Sequence, residues 1–186
     1  MRVFVVLAGM AALTGCGPKA ESLGRFGGSA PSLLISTRLL TAGGDELGTV
    51  QVMQEKDGTR VIAEIKGLPP GEYALHLHSV GACTGPDFTS AGPHFNPDAR
   101  QHGRDNPMGA HAGDLPNLIV SASGIAMLDA LQPGLKLAEG TAPLLDADGA
   151  AVVLHARPDD YRSDPAGNAG ARIACGVLRR GIPVRP

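Results

Sequence analysis

The six histidines of the sequence include two groups whose types and spacing could hold transition metals. In the first group, His76 and His78 lie one residue apart in the apolar segment 73–78. Side chains alternate between the two faces of a strand, so both imidazoles project from one face and could form half of a metal site. The alternative is that both histidines are solvated on an outer face, and the pair alone does not distinguish this interpretation from a metal site.

The second group lies in the Gly-containing stretch between residues 79 and 117. It places three histidines and one aspartate within 21 residues: His94, His102, His111 and Asp114. Structural zinc is tetrahedral and takes nitrogen and carboxylate ligands, so this set could fold the loop around one ion. A loop of this length has no hydrophobic core of its own, and a metal would organise it. The alternative is a polar loop with coincidental histidines.

His155, the remaining histidine, lies in the apolar segment 152–156 and by itself resembles a partly buried structural side chain. With 26 Gly, 15 Pro and no Trp, the composition favours short elements joined by turns. Eight short apolar stretches bounded by turn residues predict strands at 33–40, 48–54, 60–65, 73–78, 118–123, 125–130, 151–156 and 172–178. They indicate an all-β, eight-stranded antiparallel barrel or sandwich. Two long loops, 79–117 and 157–171, are expected to be functional.

Composition also excludes several classes of protein. The formal net charge of −2 and the charged fraction of 18% argue against a disordered polyelectrolyte. A nucleic-acid-binding protein would show a basic excess or stripe, so no nucleic-acid partner is expected. Beyond the N-terminal segment, no apolar run reaches the roughly 18 residues that a spanning helix needs.

The N-terminus resembles a bacterial lipoprotein export signal. Residues 1–15 combine a positive start, a short apolar run and small residues before Cys16, which predicts a signal peptide. The Leu-Thr-Gly-Cys step resembles a lipobox, in which Cys16 becomes the lipidated first residue. An ordinary signal peptide or an uncleaved anchor is the alternative. Residues 16–31 are then the lipidated cysteine and a flexible tether, and 32–186 the folded domain. This predicts an exported, membrane-anchored lipoprotein facing the periplasm or the cell exterior, with the choice of membrane left open.

Taken together, the motifs resemble the Cu/Zn superoxide dismutase family over roughly residues 32–180. The resemblance is carried by His76-x-His78, by Ser-Ala-Gly-Pro-His-Phe-Asn-Pro at 90–97, by the spacing of the second histidine group, and by segments 152–160 and 167–177. It implies a Greek-key barrel, one copper and one zinc ion per subunit, and dismutation of superoxide to oxygen and hydrogen peroxide. It also implies the ligands: copper at His76, His78, His94 and His155, and zinc at His94, His102, His111 and Asp114, with His94 bridging.

The resemblance assigns roles to further residues. Asp159 corresponds to the family's aspartate that joins a copper-ligand histidine to a zinc-ligand histidine, here His76 and His102. Arg172 corresponds to the arginine beside the copper, where its permanent charge would attract and orient a small anion; with His94 it is the expected catalytic pair. Cys83 and Cys175 correspond to the family's disulfide. The segment 160–171 is shorter than in better-known members, and Arg162 is its only cation.

The alternative function is that of a non-catalytic copper-binding or copper-delivery lipoprotein on the same fold. Such a protein would usually lack a copper ligand or the arginine, whereas this sequence has the full set. The favoured reading is therefore an oxidoreductase with superoxide as substrate. The sequence leaves the oligomeric state open, with a homodimer among the alternatives.

Overall fold

The computed structural model describes residues 33–181, which form nine β-strands and one short 3-10 helix. The strands are β1 (Leu34–Thr41), β2 (Glu46–Glu55), β3 (Gly58–Lys66), β4 (Gly71–Tyr73), β5 (Leu75–His78), β6 (Leu118–Val120), β7 (Ile125–Pro133), β8 (Ala150–His155) and β9 (Arg172–Leu178). The 3-10 helix spans Thr89–Ala91. Within these residues, no helix is long and apolar enough to cross a membrane.

Seven strands form one antiparallel sheet in the order β5-β8-β9-β1-β2-β3-β7, and β4 pairs with β6 in a second sheet. The last strand, β9, therefore lies beside the first, and β1, β2 and β3 follow it as consecutive neighbours. A returning strand placed beside the first of three hairpin-connected strands is the Greek-key arrangement. The predicted antiparallel Greek-key fold is confirmed.

The interior is built by the period-two alternation of the strands. Val50 and Val52 of β2 and Val61, Ala63 and Ile65 of β3 are fully buried, while their neighbours along each strand are more exposed. Burying one such branched side chain contributes about 1.5–3 kcal/mol. These residues fix the register of β2 against β3, because a slip by one residue would turn the whole set outward.

One predicted strand, 73–78, is divided in two. β4 pairs with β6, whereas β5 pairs with β8 at the edge of the larger sheet. The break falls at Ala74, whose N–H donates to the Arg157 carbonyl and whose carbonyl accepts from the His155 N–H, both at 2.9 Å. Because of this break, the two histidines of β5 belong to the larger sheet, next to β8.

A third long connection, residues 134–149, joins β7 to β8 and was not predicted. It inserts Leu135, Leu137, Leu144 and Leu145 into the main hydrophobic core. Its two halves are held together by backbone hydrogen bonds from Leu144 to Lys136 (2.8 Å) and from Leu145 to Leu137 (2.9 Å). This connection is therefore part of the core although it forms no strand.

Candidate metal centre

Strand β5 places the first histidine pair. Leu75 and Leu77 point into the core, and His76 and His78 alternate with them, as the sequence predicts. All four side chains are fully buried. The reading of two solvated histidines on an outer face is therefore wrong, because another part of the chain covers that face.

The covering segment is the loop 79–117, which folds back along the free edge of β5. Phe95 N–H donates to the Leu77 carbonyl (2.8 Å), and Leu77 N–H donates to the Gly113 carbonyl (2.9 Å). These bonds form isolated bridges that set His94 beside His78 and Asp114 beside His76. The loop thus brings members of the second predicted group against the first.

Four histidines converge in one cluster, the copper group: His76, His78, His94 and His155. Their ligand atoms lie within 4.8 Å of one another. Each ring has one buried nitrogen without a hydrogen-bond partner: His76 Nδ1, His78 Nε2, His94 Nε2 and His155 Nε2. Buried polar atoms are nearly always paired, so four unpaired lone pairs in one place require an explanation. An imidazole set of this kind suits copper.

The second nitrogen of each ring fixes the tautomer in three of these four histidines. His78 Nδ1–H donates to the Gly92 carbonyl (2.9 Å), and His155 Nδ1–H donates to the Gly170 carbonyl (3.3 Å). His76 Nε2–H donates to the Asp159 carboxylate (2.8 Å). Each bond leaves the opposite nitrogen with a free lone pair, as metal-binding histidines require.

Burial keeps three of the four copper-group rings uncharged, those of His78, His94 and His155. It lowers the pKa of His78 to about 2, that of His155 to about 3 and that of His94 to about 4. Charge repulsion from neighbouring groups, including Arg172 beside His78 and His155, acts in the same direction. Neutral imidazole is the form that binds a metal, so these three rings are in the protonation state that metal binding requires.

The second cluster, the zinc group, comprises His94, His102, His111 and Asp114. The Nδ1 atoms of its histidines lie 2.9, 3.1 and 3.2 Å from the single oxygen Asp114 Oδ1. With zinc–ligand bonds of about 2.0–2.1 Å, ligand atoms at tetrahedral corners are about 3.3 Å apart. Moreover, His102 Nδ1 makes no hydrogen bond in spite of its short distance. The spacing therefore fits a tetrahedral zinc site.

Asp114 is held ionised and oriented. Its Oδ2 accepts hydrogen bonds from the backbone N–H groups of Gly103 and His111, both at 3.0 Å, which leaves Oδ1 facing the histidines. Burial alone would raise the pKa of Asp114. The close approach of the His102, His111 and His94 rings outweighs burial and lowers the pKa of Asp114 well below its usual range.

His94 belongs to both clusters. Its Nε2 is the unpaired atom facing the copper group, and its Nδ1 lies 2.9 Å from Asp114 in the zinc group. One ring therefore separates the two groups, in the arrangement that the resemblance implies for a bridging imidazole.

Asp159 links the same two groups through ring nitrogens opposite the unpaired ones. Its Oδ2 accepts from His76 Nε2–H (2.8 Å) and its Oδ1 from His102 Nε2–H (2.9 Å), and the three side chains are fully buried. Burial disfavours the charged forms of Asp159 and His102. The hydrogen bonds outweigh burial and lower the pKa of Asp159 below its usual range. The pKa of His102 is raised to about 9 by its contacts with Asp114 and Asp159.

Asn117 was missed by the sequence analysis. Its Nδ2 donates to the Asp159 carbonyl (3.0 Å), and its Oδ1 accepts from the Asp159 N–H (2.8 Å). Gly167 packs so closely on the same carboxylate and on His102 that a Cβ there would collide with both. A neutral amide and a glycine have no metal-ligand signature, so only the folded structure reveals their role.

Arg172, the first residue of β9, lies opposite His155 in the strand register. Its guanidinium donates to the backbone carbonyls of Phe88 (2.7 Å) and Gly92 (2.8 Å). Gly92 also accepts the His78 ring N–H, so one carbonyl orients both a copper-group ring and the arginine. The result is a half-buried cation fixed beside the copper group.

The fold and this geometry agree with the comparisons with known proteins. A family model described as copper/zinc superoxide dismutase (SODC) matches residues 46–178. The chain belongs to the copper/zinc superoxide dismutase family. It is 44% identical over 149 residues to Superoxide dismutase [Cu-Zn] 2 of Aquifex aeolicus, covering 79% of this chain and 87% of that protein. It is 45% identical over 148 residues to the Cu-Zn superoxide dismutase of Caulobacter vibrioides, covering 77% and 85%.

A solved structure is also similar to this chain. The crystal structure of a double mutant of a SOD-like protein from Bacillus subtilis superposes with a TM-score of 0.74 at 41% identity. The match covers 77% of this chain and 96% of that chain. Copper and zinc are the metals of this dismutase family, and the two histidine groups offer the donor sets that suit them.

The disulfide predicted from the superoxide dismutase resemblance is confirmed. Cys83 and Cys175 are bonded, with a Cα–Cα distance of 5.7 Å, and tie the loop 79–117 to β9. Both cysteines pack with Phe88 in a small apolar cluster, and the Phe88 carbonyl accepts a hydrogen bond from Arg172. The predicted signal peptide (1–15), the lipidated Cys16 and the tether (16–31) lie outside the described residues.

Proposed function

We propose that this chain disproportionates superoxide to oxygen and hydrogen peroxide, with copper held by the copper group and zinc by the zinc group. The observation that carries the proposal is the shared ring of His94, with an unpaired buried nitrogen toward one group and the other nitrogen toward the second. A purely structural zinc module would have no use for the three further buried imidazoles His76, His78 and His155.

When bound, copper supplies the one-electron redox chemistry, and zinc holds the loop and polarises the shared ring. Two superoxide ions and two protons give one oxygen and one hydrogen peroxide. His94 can hold one of these protons at Nε2 and release it to the reduced product. Its Nδ1 meanwhile stays directed at the zinc group, so the ring can take up and release a proton at Nε2 while the ring itself stays in position.

Arg172 attracts and orients the small anionic substrate. Its guanidinium is always charged, and the Phe88 and Gly92 carbonyls hold it beside His78 and His155. In a partly enclosed site a fixed charge acts through a low effective dielectric, so it raises the encounter rate even in a chain of net charge −2.

Arg172→Ala is expected to retain both metals and to lower kcat/KM by about tenfold or more, since electrostatic steering contributes roughly 10–10³-fold. Fast superoxide kinetics, metal content and the dependence of the rate on ionic strength measure this effect. The control is Arg38→Ala, which removes an exposed arginine of β1 and should change none of these. Loss of copper from Arg172→Ala would contradict the assigned role.

The central test is metal analysis together with a superoxide assay on the chain from Gly17 onward, with and without added copper. We expect activity that depends on copper, with one copper and one zinc ion per chain. Full occupancy by both metals without activity would instead favour a copper-binding or copper-delivery protein. Sedimentation of the same sample distinguishes a homodimer from a monomer.

We propose further that the protein is exported and anchored to a membrane through lipid on Cys16, facing the periplasm or the cell exterior. The Leu-Thr-Gly-Cys step supports this proposal. So does the Cys83–Cys175 disulfide, because such bonds persist mainly in oxidising compartments.

Cys16→Ser is expected to move the protein from the membrane fraction to the soluble fraction and to abolish incorporation of radioactive palmitate. Ser22→Ala, within the predicted tether, serves as the control and should stay anchored. Unchanged fractionation of Cys16→Ser would refute lipidation at this residue.

A further inference from the structure

Tyr161 joins three separate segments around the zinc group. Its N–H donates to Asp159 Oδ1 (2.7 Å), its carbonyl accepts from the Asp105 N–H (3.0 Å), and its hydroxyl accepts from the Asn117 N–H (2.8 Å). Its φ of 62° is left-handed, a conformation that costs energy in any residue other than glycine. The surrounding contacts must therefore hold it there.

The tyrosine ring makes a fourth contact. The guanidinium carbon of Arg104 lies 3.8 Å from the ring centroid, a cation–π arrangement. The Tyr161 carbonyl also packs so tightly on Gly103 that a Cβ at that glycine would collide with it. Tyr161 therefore contacts each of the residues 103–105, which directly follow the zinc-group residue His102.

These contacts lead to the zinc group by two routes. Along the first, the Gly103 N–H that Tyr161 helps to place donates to Asp114 Oδ2. Along the second, the Tyr161 hydroxyl positions Asn117, which clamps the backbone of Asp159, and Asp159 orients His102.

Several hydrogen bonds to Asp160 hold the loop that carries Tyr161. The Asp160 carboxylate accepts hydrogen bonds from the N–H groups of Arg162 and Ser163, from Ser163 Oγ and from Asn168 Nδ2, at 2.6–2.9 Å. A displacement of the tyrosine is therefore passed to its partners, because its own short loop cannot absorb the movement.

We propose that Tyr161 is a positioning residue that sets zinc affinity, by fixing both the residues 103–105 and Asp159. The inference rests on the zinc site in the proposed function. The loop 160–171 would then order the zinc group through Tyr161, in addition to orienting the His155 ring of the copper group through the Gly170 carbonyl.

The test compares the only two tyrosines of the chain. Tyr161→Phe removes the hydroxyl that accepts from Asn117, whereas Tyr73→Phe removes a hydroxyl that bonds the Pro69 carbonyl in an exposed turn. We expect Tyr161→Phe to bind zinc about tenfold more weakly in competition with a chromogenic chelator, the lower end of the effect of outer partners on metal sites. Tyr73→Phe should bind zinc as the wild type does.

A second variant and a spectroscopic measurement distinguish a positioning role of Tyr161 from a general loss of stability. Tyr161→Leu, which also removes the ring beneath Arg104, should lose more zinc affinity than Tyr161→Phe. The visible spectrum of the cobalt(II)-substituted protein should change in both Tyr161 variants and not in Tyr73→Phe. Equal zinc affinities and cobalt spectra for Tyr161→Phe and Tyr73→Phe would overturn the proposal.

His111→Ala tests the zinc site itself. It should abolish tight zinc binding if the site is as proposed. Unaltered zinc binding by this variant would overturn the site, and with it the assignment of Tyr161. Loss of zinc in His111→Ala combined with an unaffected Tyr161→Phe would overturn the tyrosine assignment alone.

Discussion

His94→Ala is expected to lower the dismutase rate by about 10²–10⁴-fold, the contribution typical of a positioned proton donor, and to weaken binding of both metals. The physical reason is that one ring serves both groups. Its loss leaves three imidazoles in the copper group and two imidazoles with one carboxylate in the zinc group. Metal content by mass spectrometry and fast superoxide kinetics on the same preparation measure both effects.

His111→Ala is the matched control, because its ring belongs to the zinc group alone. It should lose zinc while retaining copper. Loss of only one metal from His94→Ala would show that the ring serves a single site, and the bridging assignment would then be wrong.

Replacing both Cys83 and Cys175 with serine is expected to lower the free energy of unfolding by about 2–5 kcal/mol. The disulfide closes a loop with a sequence separation of 92, and the chain-entropy model gives almost 5 kcal/mol for a loop of about 100 residues. For a domain of this size the unfolding midpoint should fall by about 5–15 °C. Differential scanning calorimetry of the metal-free protein measures the shift.

The same variant should also lose activity, since the bond holds the segment containing Phe88 near β9, and the Phe88 carbonyl fixes Arg172. Wild-type protein treated with a reductant is the control and should reproduce both changes. A serine variant as stable as the oxidised wild type would show that contacts other than the disulfide hold the loop.

Short apolar stretches bounded by turn residues predicted the strands well, because strands in an antiparallel fold are short and are joined by turns. The pattern failed at Ala74, where the break depends on hydrogen bonds to residues 155–157, far away in the sequence. It failed also at 134–149, whose buried leucines follow no strand or helix period because their backbone is irregular. Both failures reflect long-range contacts that a local pattern does not contain.

The site was predictable to the extent that its side chains carry distinctive chemistry. Histidines, Asp114 and Asp159 have ligand or ion-pair chemistry, and their spacing resembled a family motif; the structure brings them together in two adjoining clusters. The Gly92 carbonyl and the Asn117 amide have no such signature. Their roles come from backbone placement, and every residue has a carbonyl that could have served.

The two hydrogen bonds of Asp159 couple the binding of one metal to the binding of the other. Its two oxygens touch one ring from each metal group, so an ion that orders its own half also pre-orders the other half. Binding at the two sites is therefore expected to be cooperative. By reciprocity, any factor by which zinc tightens copper binding is also the factor by which copper tightens zinc binding. The order of metal loading then decides which ion meets a prepared site, while the total free energy of metallation stays the same.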